Sequence, residues 1–496
     1  MGFLDDIKRA VKGESLTQAL PAAPLGKEPS VKSIYQSRQN FGVNFGSLFV
    51  FEKYIFDDIF IDNTSFELDA IKALIKRDGS ESTRLKLEKH WKSYCSDEEW
   101  NWLKQRGVQS IRIPIGYWVV NNGNFTKGTS FEKVREVYQN AWNILKSHYI
   151  EKAKDYKISV LVDLHALPKG ANTGDHSGEK FEEPGFWSSH DAIKLAVEVC
   201  RFMGQDLQQY DNVSGIQIVN ESVFDEQAKG QMKYYTKAIN AIRDVNGEVP
   251  IIISDGWWPD QWVKFLEEKT NRKIGASGVV IDHHVYRCFS ENDRSKTPDA
   301  IINELNGSVL SGLSAEADFI IGEYSCVLDT NTWKKCNVKR EDKVQEFGQR
   351  QSQIFKERAK TGYYFWTFKF EHGDGGEWGF KPMIERSCIP SRPVSIQTPL
   401  QNDYENILNE HYRNHQTYWQ SQNPQESYEF WRYREGFVTA WADAVAFARF
   451  DNSRIGRVVA WKQARLEEHI RVRGDSKFIW QWLAGFHEAL SYFNSL

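Results

Sequence analysis

Cysteine is scarce in this chain and never paired in sequence. Cys95, Cys200, Cys288, Cys326, Cys336 and Cys388 stand far apart with no CxxC between them, which argues against a zinc ribbon or a disulfide framework and fits a reducing compartment. Positive charge is not in excess: 63 Lys and Arg against 67 Asp and Glu leave a net charge of −4, so there is no basic footprint for nucleic acid. No apolar run is long enough to read as an integral membrane segment. No GxGxxG opens a helix, which disfavours a dinucleotide cofactor. HExxH is also missing, so no catalytic metal is expected. Histidines do occur at 165, 176, 283, 284 and 372, but adjacent strand residues such as His283 and His284 point to opposite faces and cannot chelate one ion together. The start, Met1-Gly2-Phe3-Leu4-Asp5-Asp6, carries acids where a secretion signal needs positive charge and then a long apolar run. Asp6 also occupies the position where myristoylation requires Ser or Thr. A cytoplasmic protein is the expectation.

What is abundant is aromatic: 14% of residues, 18 of them Trp. That exceeds what a core alone needs and suits stacking against the apolar faces of sugars, although most of these rings are expected to fill the interior. Hydrophobic residues at 41% and charged residues at 26% describe a globular chain with a large core.

Phe3, Leu4, Ile7 and Val11 fall at helical spacing among Lys8, Arg9 and Lys12, predicting within an N-terminal arm, 1–40, a short helix that docks on protein, the alternative being an interfacial helix. From Phe41, apolar runs of strand length alternate with helical segments. The strands are expected at 41–47, 110–115, 158–165, 214–221, 251–255, 279–286, 319–323 and 363–368. Helices are expected near 132–156, 191–209, 227–245, 259–269, 298–312, 341–360 and 402–420. Another follows Ser96-Asp-Glu-Glu99, a capping box ahead of Trp100, Trp102 and Leu103. Eight such units favour an α/β fold, a (β/α)₈ TIM barrel over 41–423, with a long insertion at about 51–94 after the first strand. After 424 only helical stripes remain, such as Phe437, Trp441 and Val445, then Trp482, Phe486 and Leu490. These predict a helical C-terminal extension, 424–496, packed on the barrel, whose apolar stripes could also seat a second copy in a homo-oligomer.

In such barrels catalytic groups stand at the C-terminal ends of strands. Two predicted strands end in carboxylates, at Asn220-Glu221 and Gly322-Glu323. Two glutamates three strands apart can face each other across the barrel mouth, and a pair about 5 Å apart is the arrangement for double displacement at an anomeric carbon. Arg112, in Ile111-Arg-Ile-Pro-Ile115, is a cation inside an apolar strand and must be paired, naturally with the nucleophile carboxylate. Asp163-Leu-His165 ends a strand with an imidazole. Asp282-His-His284-Val-Tyr286 puts His284 and Tyr286 on one face, and Trp366 ends the last strand as a candidate floor for a sugar. The sequon Asn220-Glu221-Ser222 would place a glycan beside the candidate acid, which agrees with a cytosolic location.

In order and spacing over roughly residues 35–420, these marks resemble glycoside hydrolase family 5, and within it the fungal exo-β-1,3-glucanase group. The resemblance implies that Glu221 is the general acid/base and Glu323 the nucleophile. Arg112, His165, Asn220, His284, Tyr286 and Trp366 would shape the subsite of the cleaved sugar, Asn220 bonding its 2-hydroxyl and Tyr286 orienting Glu323. Phe289 matches an aromatic that in this group clamps the next sugar. Ser222 stands where the family usually has Pro, and the 51–94 insertion and the helices after 424 lie outside the common pattern. The expected activity is retaining, exo-acting hydrolysis of a β-glucoside such as β-1,3-glucan fragments. Alternatives are the same chemistry on a glycolipid, a flavonoid glycoside or a β-1,6-glucan, or a barrel that binds sugar without turnover.

Overall fold

A computed structural model of the chain describes residues 14–20, 26–313, 316–391 and 401–496, the side chains of 401 and 402 excepted. The helix expected around Phe3 to Val11 lies outside these residues. Eight parallel strands close into a barrel in chain order. They are β1 (Asn40–Asn44), β2 (Ser110–Gly116), β3 (Ser159–Ala166), β4 (Val213–Gln217), β5 (Ile251–Ser254), β6 (Val279–Arg287), β7 (Asp318–Leu328) and β8 (Gly362–Phe365).

The strand period of two explains how the barrel is filled. One inward layer is apolar: Leu161, Ile252, Val280, Ile320 and Tyr364 form a cluster of their own inside the cylinder. Two residues further along the same strands the layer turns polar, with Asp163 on β3, Asp282 on β6 and Trp366 just past β8. Arg112 on β2 and Gln217 on β4 belong to that polar layer and are fully buried. Strand edges and loops therefore carry chemistry toward one end only, the C-terminal end.

Helices wrap this core where expected, with the capping box at Ser96 formed on both sides. Several boundaries differ from the sequence reading. The segment 132–156 is broken into a 3₁₀ turn, Glu132–Tyr138, and a helix interrupted by a π turn at Leu145–Ile150. The 51–94 insertion holds two helices, Glu67–Asp78 and Ser80–Ser93. In the N-terminal arm, Leu16 is buried, and a short helix, Val31–Ser37, is capped by the Ser30 side chain. The chain then delivers Arg38 beneath the barrel, where it donates to the carbonyl of Lys157.

The C-terminal helices have a second core. Phe430–Arg449 supplies Tyr433, Phe437, Trp441 and Phe447, and Ile479–Ser495 supplies Trp482, Phe486, Leu490 and Phe493. These two helices cross at glycines: a Cβ on Gly436 would strike the Trp482 carbonyl, and one on Gly485 the Tyr433 carbonyl. Gln401–Gln422, counted from the sequence as the eighth barrel helix, instead puts Leu408 into this second core. The helix that directly follows β8 is the short Phe380–Glu385. The extension sits against the N-terminal end of the barrel. Asp318, the first residue of β7, accepts from the backbone N–H groups of Val459 and Ala460, 2.9 Å each, at the start of helix Val458–Arg473. Among the described residues no helix is long and apolar enough to cross a membrane.

Candidate active site

The polar layer rises from the barrel into a cavity of about 660 Å³ at the C-terminal end, bounded in part by Glu52, Asp175, Trp257, Tyr286 and Trp366. Arg112 is its hub. Its Nη1 donates to Glu323 Oε1 at 2.9 Å and to Asn44 Oδ1 at 2.8 Å, while Nη2 donates to Asn220 Oδ1 at 2.8 Å. Nη2 also pairs with Asp163 at 3.0 Å, and Nε donates to Gln217 at 3.0 Å. Burial opposes the guanidinium charge, but Asp163, Glu323 and Asp282 overcome it and hold Arg112 above its ordinary value. A cation this deep needs such a surround, because an unpaired buried charge is strongly destabilising.

Glu323 has a second donor. Tyr286, two residues beyond His284 on the same face of β6, donates its hydroxyl to Glu323 Oε2 at 2.8 Å. Glu323 reaches the cavity through an irregularity, since the β6–β7 register shifts between His283 and His284 and sets His284 opposite Glu323. Gly322, just before it, has its N–H on Asp282 Oδ1 at 2.7 Å, and any Cβ there would fall on the Asp282 carboxylate.

Glu221 lies four residues past the end of β4, not on it, and adopts φ 41°. Its Oε1 bonds His284 Nδ1 at 2.9 Å, and its Oε2 is 3.6 Å from His176. His284 continues to Asp282 through Nε2 at 3.0 Å and lies 3.7 Å from Glu323. Burial works to raise the Glu221 acid, but the hydrogen bond and charge of His284, with His176 and His165 behind it, pull it down to about 2. His284 moves the opposite way. Burial disfavours its cation, yet Glu323, Asp282 and Glu221 keep it well above its ordinary range. Both directions favour an imidazolium–carboxylate pair between His284 and Glu221.

Glu221, His284 and Glu323 each offer a ligand atom within 4.8 Å of the others, as do Glu52, Asp175 and His176. Either set is close enough to hold a cation, but in the first every member is already engaged by protein: Glu323 by Arg112 and Tyr286, and His284 by Glu221 and Asp282. His283 turns to Asp255, at 2.6 Å, and so takes a different partner from His284. His372 lies at the surface, 3.3 Å from Asp57.

The other residues singled out from sequence gather here as well. His165 is fixed by Asp163 at 2.6 Å and lies parallel to Trp366, with ring centroids 6.0 Å apart. Asn220 Nδ2 is 3.3 Å from His165 Nε2. Phe289 stands at the rim, 60% exposed, against Tyr286 and Trp378. Sequence reasoning missed Glu52, Tyr54, Asp175, Trp257 and Trp378. Glu52 is buried with its acid well above the ordinary range, chiefly through burial and then through Asp175 and Glu323. Tyr54 accepts from Trp366 Nε1 at 2.8 Å. The one signal for Glu52 was a lone acid at the end of the apolar run Leu48-Phe-Val-Phe51.

A closed barrel with two carboxylates facing each other over a pocket matches what the comparisons find, which together define a glycoside hydrolase. The model of "Cellulase (glycosyl hydrolase family 5)" matches residues 75–371, and that of "Glucan 1,3-beta-glucosidase 3 C-terminal domain" matches 400–496. The chain belongs to glycoside hydrolase family 5. It is 40% identical to an uncharacterized glycosyl hydrolase of Saccharomyces cerevisiae over 97% of this chain and 96% of the relative. It is 31% identical to glucan 1,3-beta-glucosidase 3 of Schizosaccharomyces pombe over 88% of this chain and 92% of the relative. The rutinosidase of Aspergillus niger shares the fold, with a TM-score of 0.57 at 16% identity, covering 71% of this chain and 98% of that one.

Proposed function

We propose that this enzyme is a retaining, exo-acting β-glucosidase that takes β-1,3-glucan fragments, with Glu323 as nucleophile and Glu221 as acid/base. The observation that carries the mechanism is the approach of their carboxylate oxygens to within 4.8 Å. Retaining enzymes hold the two groups about 5–5.5 Å apart, whereas inverting ones need about 6.5–9.5 Å to admit a water. Exo action is supported by the word glucosidase in the name of the Schizosaccharomyces relative, and Glu52, Tyr54 and Trp366 are among the residues lining the cavity. The substrate class is supported by the name of the Schizosaccharomyces relative.

Arg112 and Tyr286 each fix one oxygen of Glu323, which orients the carboxylate for attack on the anomeric carbon. The acid step starts with the proton on His284. As Glu323 forms its bond to the sugar it loses its negative charge, and with it goes a large support of the imidazolium. The proton then moves from Nδ1 across 2.9 Å to Glu221 Oε1, and from Glu221 to the departing glycosidic oxygen, just as that oxygen gains charge. Water, activated by the Glu221 carboxylate, releases the sugar from Glu323.

A mechanism-based 2-fluoro-glucoside tests this reading. Mass spectrometry is expected to find one sugar on the peptide containing Glu323, and Glu323→Gln to abolish both labelling and turnover. Labelling elsewhere, or none alongside tight sugar binding, would favour a barrel that binds without turnover. A panel of laminari-oligosaccharides, β-1,6-linked oligosaccharides, glycolipids and flavonoid glycosides separates the substrate alternatives, with laminari-oligosaccharides expected to be cleaved fastest. In Glu221→Gln, glucosides with activated leaving groups are expected to keep glycosylation while poor leaving groups lose it. Equal losses on both would contradict the assignment of the acid.

A further inference from the structure

Seven aromatic side chains are strongly exposed among the described residues, and only Tyr418 and Trp431 of these lie on the C-terminal helices. The other five, Tyr54, Phe224, Trp257, Trp258 and Phe289, all stand on loops at the C-terminal end of the barrel. Tyr54, Trp257 and Phe289 line the catalytic cavity. Phe224 and Trp258 do not, yet they are 56% and 40% exposed. Leaving two large rings in water forfeits their burial, which calls for a reason in a molecule able to bury Trp91, Trp100 and Trp142 completely.

The two rings are held as a unit. Their centroids are 6.1 Å apart with planes inclined by 35°. The loops that bear them are fastened to each other: Ser222 N donates to Ser254 Oγ at 3.1 Å, and Gln261 donates to the carbonyls of Asp225 and Glu226 at 3.1 and 2.9 Å. Phe224 follows Glu221 by three residues, and Trp258 is the immediate neighbour of cavity-lining Trp257. The pair thus continues the wall of the cavity on the side of the carboxylate assigned to protonate the leaving group.

We propose that Phe224 and Trp258 form a further sugar-binding subsite on the leaving-group side, which receives a distant glucose unit of a β-linked oligosaccharide and makes the enzyme prefer longer chains. The inference rests on the reading of Glu221 and Glu323 given above. A small tilted aromatic surface offers a face to the axial C–H groups of a sugar, and the exposed carboxylates of Asp225, Glu226 and Asp260 around it can accept from hydroxyls. A lipid or other wholly apolar aglycone would meet an acidic, hydrated rim there instead.

The test compares wild type with Phe224→Ala and Trp258→Ala on laminari-oligosaccharides of two to six sugars and on an aryl β-glucoside. In wild type kcat/KM is expected to rise with chain length. Each variant is expected to lose about tenfold on the longest substrates, since an aromatic contact with its buried area is worth on the order of 1.4 kcal/mol, or one decade. Activity on the disaccharide and the aryl glucoside should remain within about twofold of wild type. The same substitutions in a Glu323→Gln background should weaken binding of laminarihexaose, measured by calorimetry, by a similar factor. The proposal is overturned if chain-length dependence persists in both variants, or if the aryl glucoside loses as much as the hexasaccharide, which would make the rings mere supports of the Glu221 loop. It is equally overturned if the loss appears only on glucosides with apolar aglycones. Failure of wild type to cleave any glucoside would instead remove the catalytic reading, while the calorimetric comparison would still decide whether the two rings bind sugar.

Discussion

His284 touches Glu221, Asp282 and the surroundings of Glu323 at once, so its replacement should separate proton supply from positioning. His284→Gln keeps a side chain able to hydrogen-bond but cannot carry the proton. Steady-state kinetics are expected to show kcat/KM falling on the order of 10²-fold or more for alkyl or oligosaccharide leaving groups, the scale of general acid catalysis. Activated aryl glucosides should lose much less, and a uniform loss across leaving groups would show that His284 acts only as structure. Residues like this were legible in the sequence because strand parity displays them. Arg112, Asp163, His165, Asp282, His284 and Tyr286 sit at even spacings in apolar runs, where a polar side chain has few bland explanations. Glu52, Tyr54, Asp175 and Trp378 come from loops with no period, and nothing local tells a cavity-lining side chain from a solvated one there. Glu221 itself is reached by a turn with positive φ beyond β4, which periodicity cannot foresee.

One buried acid helps tie the insertion after β1 to the barrel. Glu67 accepts from Tyr138 Oη at 2.6 Å, Trp118 Nε1 at 3.1 Å and the Phe51 N–H at 2.9 Å. Even so, burial outweighs these donors and pushes its acid up from 4.5 to about 7. Between those values the unfolded chain has released this proton and the folded chain still holds it. Stability therefore falls as pH rises from about 4.5 to about 7, by on the order of 3 kcal/mol from this group, and changes no further above. Urea unfolding at several pH values should show that slope in wild type and a flatter one in Glu67→Gln, whatever the absolute stability of the variant. An unchanged slope would mean that Glu67 is not the group responsible. The helices this acid tethers were invisible as elements from the sequence, where aromatic and charged residues blur the apolar stripe. Conversely, the capping box at Ser96 announced its helix outright, since it names both ends of a reciprocal hydrogen bond.

At the scale of the molecule, catalytic mouth and helical extension occupy opposite ends of the barrel, and a defect in one should spare the other. Gly485→Leu drives a side chain into the backbone of the facing helix, an overpacking that costs about 1–3 kcal/mol or more. Calorimetry is expected to show a lower Tm, while activity per folded molecule on an aryl glucoside at low temperature stays near wild type. A large change in kcat with Tm unaltered would show that the two ends are coupled after all. The eight-fold alternation made the barrel readable from composition of runs alone. The affiliation of Gln401–Gln422 was not readable, because an amphipathic stripe states that a helix is covered and is silent about what covers it.

Gly436 and Gly485 face one another's helices reciprocally, the first lying against the backbone of Trp482 and Phe486 and the second against that of Tyr433 and Phe437. Two helices so closely nested cannot slide or rotate by small amounts, and neither position can enlarge unless the other helix withdraws. A new geometry at this joint therefore requires simultaneous changes on both sides.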